Sequence, residues 1–144
     1  MVSVAGFYRD INHLDEYKTG SSFLSSLNNE VGQETEEFTK HKARMESLHS
    51  AMFVWFKQDD VIYPPESAIF EEMKMKDKVE KEVKMEATEL YKNDNLGLKF
   101  LKDDGRLKIV SIDAKHAEFK NSDIDKTFLP FLKSWVSFNS RKKN

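Results

Sequence analysis

The residues whose types could support chemistry are scattered along the chain and do not gather into one motif. The histidines are His13, His41, His49 and His116. Glu37 precedes His41 by four residues and Met45 follows it by four, so a helix would place these three side chains on one face. Because no second histidine lies nearby, we predict no metal site and interpret His41 as a polar residue that helps to fix helix register or partner choice.

Carboxylates are plentiful, and several pairs of them are adjacent, such as Asp59-Asp60 and Asp103-Asp104. Adjacent residues on a turn do not face one another, which favours turn formation and solubility over acid–base work. The sequence has no Gly-x-Ser-x-Gly motif, no glycine-rich phosphate loop and no cysteine. We therefore predict that the chain is not an enzyme and needs no cofactor or small-molecule substrate.

The charge pattern gives no general attraction to nucleic acid or to membranes. The net charge is −2, although the C-terminal end is basic, with Lys126, Lys133 and the run Arg141–Lys143. The longest apolar run is Ala51–Phe56, far shorter than the roughly 18 residues that cross a bilayer. Residues 1–22 show no signal-peptide core, so we expect a soluble intracellular protein without direct nucleic-acid or membrane binding.

The elements that would carry these residues are predicted to be mostly helical. From about Phe23 to Asp59 apolar residues alternate at spacings of three and four, which is typical of the seam of a heptad coiled coil. We predict that these seam residues bind a partner chain: Leu24, Leu27, Val31, Phe38, Met45, Leu48, Met52 and Trp55. Pro64-Pro65 ends this helix, and a second, charged helix is predicted from Glu66 to Tyr91.

The period then changes in the C-terminal third. Residues 96–102 and 106–112 alternate apolar and charged positions around Asp104-Gly105, which predicts a β-hairpin, and a terminal helix is predicted over 124–140. The residues expected to pack this head are Leu98, Phe100, Leu107, Ile109, Phe128, Leu132 and Trp135. The predicted fold is mostly α with a small α+β C-terminal part, divided into a leader (1–22), a coiled-coil region (23–93) broken at the proline pair, and the head (94–144).

Two segments of the sequence resemble a known junction. Residues 87–100, with Leu90-Tyr91-Lys92 and Leu96-Gly97-Leu98, are followed by residues 105–115, with Ile112-Asp113-Ala114-Lys115. Together they resemble the point where the coiled coil meets the globular head in the Spc family of kinetochore proteins, in particular its twenty-five-kilodalton type. Few residues follow Lys115, so a related chain would have a trimmed head.

The resemblance implies a non-enzymatic kinetochore subunit that acts through protein–protein interaction. It would pair with a second coiled-coil chain and link the inner kinetochore to the microtubule-coupling machinery during mitosis and chromosome segregation in cell division. The implied location is the nucleus, at the centromere, or otherwise the cytoplasm. An alternative remains open: the helices fold back at Pro64-Pro65 into a compact module that binds a small apolar ligand or a peptide.

Overall fold

A computed structural model describes residues 8–31 and 35–134 of the chain, so the predicted head residue Trp135 and the basic run Arg141–Lys143 lie outside the described residues. The helices are α1 (Leu14–Gly20), α2 (Leu24–Leu27), α3 (Glu36–Glu46), α4 (Glu89–Lys92), α5 (Leu98–Asp103) and α6 (Asn121–Asp123). The strands are β1 (Ala51–Phe56), β2 (Glu72–Lys76), β3 (Val79–Val83) and β4 (Leu107–Ile112). Two 3₁₀ turns (Pro65–Ile69, Met85–Ala87) and a π turn (Ile124–Phe128) complete the list, and residues 129–134 are again helical. Within these residues no helix combines the length and the apolarity that a membrane crossing would need.

Strands β1 and β4 form a parallel pair, with Ala51 opposite Leu107 and Phe56 opposite Ile112. The continuous apolar run of β1 is typical of a strand covered on both faces. One face packs through Phe53 and Leu107 on a cluster around Met85, Leu90, Tyr91, Leu96 and Leu98. The other face contributes Phe56 and Ile112 to a second cluster, which Phe128 helps to cover. The core therefore lies on both sides of this sheet.

Strands β2 and β3 form a separate antiparallel hairpin, with Glu72 opposite Val83 and Lys76 opposite Val79. The connecting residues Asp77 and Lys78 both have left-handed backbones, with φ of 53° and 65°. Two consecutive residues of this kind form the tight turn whose twist matches that of the flanking strands.

The predicted fold class is wrong, because the described chain is a mixed α/β structure with one parallel and one antiparallel strand pair. The predicted heptad helix is three separate elements, α2, α3 and β1. Asn29 breaks the first of them with a φ of 53°. The Asn29 and Asn95 side-chain amides each donate a hydrogen bond of 2.9 Å to the backbone carbonyl of the other residue. Thr35 then starts α3 as its N-cap by accepting a hydrogen bond from the Phe38 N–H. The apolar residues at three–four spacing therefore belong to two separate helices and a strand, and not to one continuous helix.

The second predicted helix and the predicted hairpin are also wrong. The acid–base spacing that favours a helix over 66–91 belongs instead to β2 and β3, where Met73 and Met75 alternate with Lys74 and Lys76.

The predicted first strand of the hairpin, 96–102, is largely helix α5. Leu98 and Leu101, three residues apart, are both fully buried on its inner face. Gly105 follows α5 with a φ of 68°, and the Arg106 N–H bonds the Leu101 carbonyl at 2.8 Å, which is a helix stop. Asp104-Gly105 thus ends a helix, and β4 pairs with the distant β1.

Candidate active site

Asp59 and His116 lie in the loops that leave the carboxyl ends of β1 and β4. Asp59 comes three residues after the end of β1, and His116 comes four residues after the end of β4. The backbone pairing continues beyond the strands, since the Lys57 N–H bonds the Ile112 carbonyl and the Gln58 N–H bonds the Ala114 carbonyl. Because parallel strands end at the same edge of a sheet, the two loops emerge side by side.

The Asp59 carboxylate and the His116 imidazole are in direct contact. His116 Nδ1 lies 2.9 Å from Asp59 Oδ2 and 3.1 Å from Oδ1. The Asp59 side chain is 4% exposed, whereas that of His116 is 38% exposed. Among the described residues, the hydrogen bonds of His116 all run through Nδ1 to Asp59, so Nε2 has no hydrogen-bond partner there.

Backbone amides fix the Asp59 carboxylate in this orientation. The N–H groups of Val61 and Ile62 each donate to Asp59 Oδ1 at 2.9 Å. Burial alone would raise the pKa of Asp59, but the hydrogen bonds from Ile62, His116 and Val61 together hold this pKa below its usual value. Asp59 is therefore an ionised, oriented acceptor for a proton carried on His116 Nδ1.

Further polar contacts tie the two loops together. Lys115 Nζ lies 3.2 Å from Asp60 Oδ2, and the Gln58 side-chain amide donates to Asp113 Oδ1 at 3.0 Å. These pairs flank the Asp59–His116 contact on both loops. The relative position of the carboxylate and the imidazole therefore has support beyond their own hydrogen bond.

An aromatic wall lies beside the imidazole. The Phe56 ring centroid is 6.4 Å from that of His116 and 5.1 Å from that of Phe119, which in turn is 5.3 Å from Phe128. The rings of Phe119 meet both neighbours edge to face, a favourable aromatic geometry. The wall therefore gives the His116 ring an apolar neighbour.

A histidine whose Nδ1 is held by a buried carboxylate corresponds to two members of a nucleophilic triad. The histidine is the general base, and the carboxylate orients it. The carboxylate fixes the tautomer and stabilises the imidazolium, while Nε2 takes a proton from a hydroxyl or thiol nucleophile. In α/β hydrolases the order along the chain is serine, then acid, then histidine. Asp59 before His116 fits the last two positions of that order, and each follows a parallel strand.

Metal binding finds no support in the geometry. The ranges 8–31 and 35–134 contain no group of three or more histidine, aspartate and glutamate side chains arranged to hold an ion. His41 Nε2 lies 3.8 Å from Glu37 Oε1 on α3, which is a loose pairing of neighbours on one helix face.

The predicted partner-binding residues do not share one surface. Leu24 and Leu27 lie on α2, Phe38 and Met45 on α3, Met52 and Trp55 on β1, and Val31 and Leu48 between these elements. Met52 and Trp55 are three positions apart on a strand and therefore point to opposite faces of the sheet. Leu27, Val31 and Leu48 are exposed, and contact of these three with another chain stays a prediction.

The predicted head-packing residues divide between the core and the surface. Leu98 is buried in the first cluster, Leu107 packs against it, and Phe128 packs against the second cluster. Phe100, Ile109 and Leu132 are instead among the exposed large apolar side chains.

Sequence reasoning missed both residues of the candidate site. It assigned Asp59 to the end of a helix and to turn chemistry, and it gave His116 no role. One signal was present: each residue follows a short apolar or alternating run by three or four positions, as polar residues at strand ends do. That signal has meaning only when Ala51–Phe56 is a strand parallel to Leu107–Ile112.

Comparisons with known proteins agree with this geometry. The family model described as palmitoyl protein thioesterase matches residues 1–116. The chain is 33% identical over 118 residues to palmitoyl-protein thioesterase 1 of Caenorhabditis elegans, which covers 82% of this chain and 38% of that protein. It is 30% identical over 129 residues to a palmitoyl-protein thioesterase–dolichyl pyrophosphate phosphatase fusion of Schizosaccharomyces pombe, covering 90% of this chain and 20% of that protein. It is 28% identical over 137 residues to a lysosomal thioesterase of Xenopus laevis, covering 94% of this chain and 45% of that protein.

These matches overturn the kinetochore interpretation. The resemblance to the Spc family is wrong, and with it the predicted roles in mitosis and chromosome segregation, the coiled-coil partner and the nuclear or centromeric location, because the relatives are thioesterases and one is named lysosomal. The prediction of a non-enzymatic protein without a small-molecule substrate is wrong for the same reason, since thioesterases are hydrolytic enzymes. The alternative of a compact helical binding module has no support either.

The matches cover most of this chain but only part of each relative. The chain spans less than half the length of each of these three relatives. A matched stretch of 118 residues in a chain of 144 necessarily includes positions 59 and 116. Because the family model also covers residues 1–116, more than half of the chain, the chain belongs to the palmitoyl protein thioesterase family.

Proposed function

We propose that this chain supplies the acid and base residues of an enzyme that hydrolyses thioesters between long acyl chains and proteins. The observation that carries the proposal is the 2.9 Å contact of His116 Nδ1 with the buried Asp59 carboxylate at the ends of two parallel strands. The thioester substrate class comes from the family and from the names of the relatives. The nucleophile is left unassigned, since no hydroxyl of the described residues is bonded to His116 Nε2.

The geometry supports the following sequence of steps. His116 Nε2 takes the proton of the nucleophile as the nucleophile attacks the thioester carbonyl, and Asp59 stabilises the imidazolium that forms. The tetrahedral intermediate collapses, the carbon–sulfur bond breaks, and the departing thiolate takes the proton from Nε2. Water then attacks the acyl-enzyme ester while Nε2 accepts one of its protons. That proton returns to the nucleophile as the fatty acid leaves, so the enzyme is regenerated.

A chimera tests the proposal without identifying the nucleophile first. In the worm relative, the stretch that matches this chain is replaced by the matching residues of this chain, and release of palmitate from a palmitoyl thioester is measured. We expect His116→Ala and Asp59→Asn to lower kcat/KM by about 10³-fold to 10⁴-fold while KM changes little, because each removes proton transfer in the transition state. If both variants keep the activity of the parent chimera, the proposed acid–base roles are wrong.

The chain offers a matched control. His13 Nδ1 lies 3.0 Å from Asp10 Oδ2, an aspartate–histidine pair of nearly the same length, but the His13 side chain is 62% exposed and precedes α1, away from the strand ends. His13→Ala should leave the activity within about twofold. A direct readout on this chain is the tautomer of His116 by NMR, for which we expect the proton on Nδ1 in the parent and loss of that preference in Asp59→Asn.

A further inference from the structure

The hairpin of β2 and β3 extends outward from the rest of the chain. Its residues from Met75 to Glu82 are all exposed, including the turn. Only its base is buried, where the Glu72 carboxylate receives a hydrogen bond from Arg9 Nη1 at 2.6 Å. The outer part is also tethered, by the Met75 N–H to Asn12 Oδ1 at 3.0 Å and by the Tyr63 hydroxyl to Glu80, and its exposed side chains face whatever lies outside the protein.

The strand register separates the hairpin charges by face. Residues directly opposite in an antiparallel pair share a face, and Lys74 lies opposite Lys81 while Lys76 lies opposite Val79. The acidic Glu80 and Glu82 lie opposite Met75 and Met73 on the other face. One face, which we call the lysine face, therefore carries Lys74, Lys76, Lys81 and Val79, with Lys78 beside it in the turn.

Among the described residues, the glutamates of the two strands have side-chain partners, whereas Asp77 in the turn and most of the lysines do not. Glu80 accepts a hydrogen bond from the Tyr63 hydroxyl, and Glu82 pairs with Lys84. Lys74 pairs with its neighbour Glu72 at 3.3 Å. Lys76, Lys78 and Lys81 have no ion-pair partner among residues 8–31 and 35–134. Like charges directly opposite each other destabilise a strand pair, and Glu72 offsets only one charge of the Lys74–Lys81 pair, so the remaining lysine charge is a feature that a negatively charged surface would neutralise.

An exposed apolar side chain lies among these lysines, since Val79 is 66% exposed on the lysine face. Tyr63 is 70% exposed as well, but its hydroxyl bonds Glu80, which belongs to the other face of the hairpin. An exposed apolar group beside lysines matches the boundary of a bilayer, where acyl chains take the apolar group and headgroups take the ammonium groups.

We propose that the lysine face docks this chain on an anionic lipid surface. The proposal rests on the proposed function, since proteins that carry thioester-linked acyl chains are held at membranes by those chains. Two strands of five residues give a face of about 17 Å by 10 Å, well below the roughly 800 Å² that each partner buries in a stable protein complex. A lipid surface needs no matching shape. The lysine face carries no aromatic group on which bases could stack, which disfavours single-stranded nucleic acid.

Vesicle cosedimentation with the full 144-residue chain tests the proposal. Vesicles of phosphatidylcholine alone are compared with vesicles that contain about 30% phosphatidylserine, at low salt. We expect binding to the anionic vesicles only, and its loss in about 0.5 M salt. The triple variant Lys76→Gln/Lys78→Gln/Lys81→Gln should weaken binding about 100-fold, since each lysine near an anionic surface contributes about fivefold.

The matched control removes the same charge elsewhere. Lys92, Lys99 and Lys102 lie on α4 and α5, and the triple change of these residues to Gln should alter vesicle binding by no more than about twofold. Val79→Ser, which keeps the charge, should weaken binding by about fivefold.

Three outcomes would overturn the proposal. They are equal binding to neutral and anionic vesicles, unchanged binding of the hairpin triple variant, and stronger lysine-dependent binding to soluble polyglutamate than to vesicles, which would assign the face to an acidic protein. None of these assays uses a thioester. Full activity of the His116→Ala and Asp59→Asn chimeras together with lysine-dependent vesicle binding would therefore refute the hydrolase proposal alone, and loss of activity in those variants together with lysine-independent binding would refute the docking proposal alone.

Discussion

The molecule contains two strand pairs of similar size that differ in almost every other respect. The parallel pair joins β1 and β4, which are separated by 50 residues of chain, and both of its faces are packed. The antiparallel pair joins β2 and β3 through two residues, and its outer part is exposed on both faces. The candidate site lies at the end of the first pair, and lysines without an ion-pair partner among the described residues lie on the second.

The difference shows what each kind of pairing requires of the sequence. The parallel pair packs apolar residues on both faces, which its β1 strand does with an unbroken apolar run, although Lys108 and Ser111 are exposed within β4. A tight hairpin closes with little loss of chain entropy and can form with polar side chains. Its exposed residues are therefore free to carry a surface property, such as the charge of the lysine face.

One cluster connects the hairpin to the rest of the fold. Arg9 donates to Glu30 at 2.6 Å and to Glu72 at 2.6 Å, and the Tyr17 hydroxyl donates to Glu30 at 2.9 Å. Burial alone would lower the pKa of Arg9, but the hydrogen bonds and charges of Glu30 and Glu72 raise it above its usual value. The guanidinium is therefore a permanent cation between two buried carboxylates.

The largest effect on stability should come from the parallel pair. Phe56→Ala removes a buried ring from the cluster with Ile112 and Ala114, and we expect a loss of about 4 kcal/mol in the free energy of unfolding. Val79→Ala on the exposed hairpin should change that free energy by no more than about 0.5 kcal/mol. Urea denaturation of both variants measures the contrast. Equal losses would mean that the hairpin carries as much of the core as the parallel sheet does.

A somewhat smaller effect should come from the base of the hairpin. Arg9→Met leaves two buried carboxylates without their cation, which we expect to cost about 3 kcal/mol. The matched control is Arg44→Met on the exposed side of α3, with a change of no more than about 0.5 kcal/mol.

Amide hydrogen exchange shows which strands Arg9→Met destabilises. The amides of Glu72–Lys76 should lose protection in this variant, while those of Ala51–Phe56 keep more of theirs. Uniform loss of protection in both strands would show that the two strand pairs form one cooperative unit.

The contrast between the two pairs also explains what the sequence can and cannot predict. Alternation of Leu107 and Ile109 with Lys108 indicates a strand, and β4 occupies Leu107–Ile112. The partner of that strand is 50 residues away, and no local pattern selects it over the adjacent residues 96–102. The run Ala51–Phe56 suits a buried strand as well as a buried helix, because periodicity cannot separate the two in a run of six.

The candidate site can be recognised from the sequence only if Ala51–Phe56 is taken as a strand and not as a helix. Asp59 and His116 are 57 positions apart, and their contact exists only because β1 and β4 are parallel and in the observed register. A helix over residues 23–59 would have carried Asp59 away from His116, and the acid–base pair could not then be recognised. By contrast, composition alone shows that this chain supplies no thiol, because the sequence has no cysteine. That conclusion does not depend on which strands pair.

The smallest effect concerns the hairpin turn, and it separates stability from surface function. Lys78 has a φ of 65°, a backbone conformation that costs a residue with a Cβ about 1 kcal/mol and costs glycine almost nothing. Lys78→Gly should therefore raise the free energy of unfolding by about 0.5–1 kcal/mol in urea denaturation, and it should weaken binding to anionic vesicles about fivefold. A variant that is more stable but binds less cannot owe its weaker binding to unfolding. If Lys78→Gly gains stability and binds as the parent does, the turn lysine takes no part in docking, and the lysine face is reduced to its strand residues.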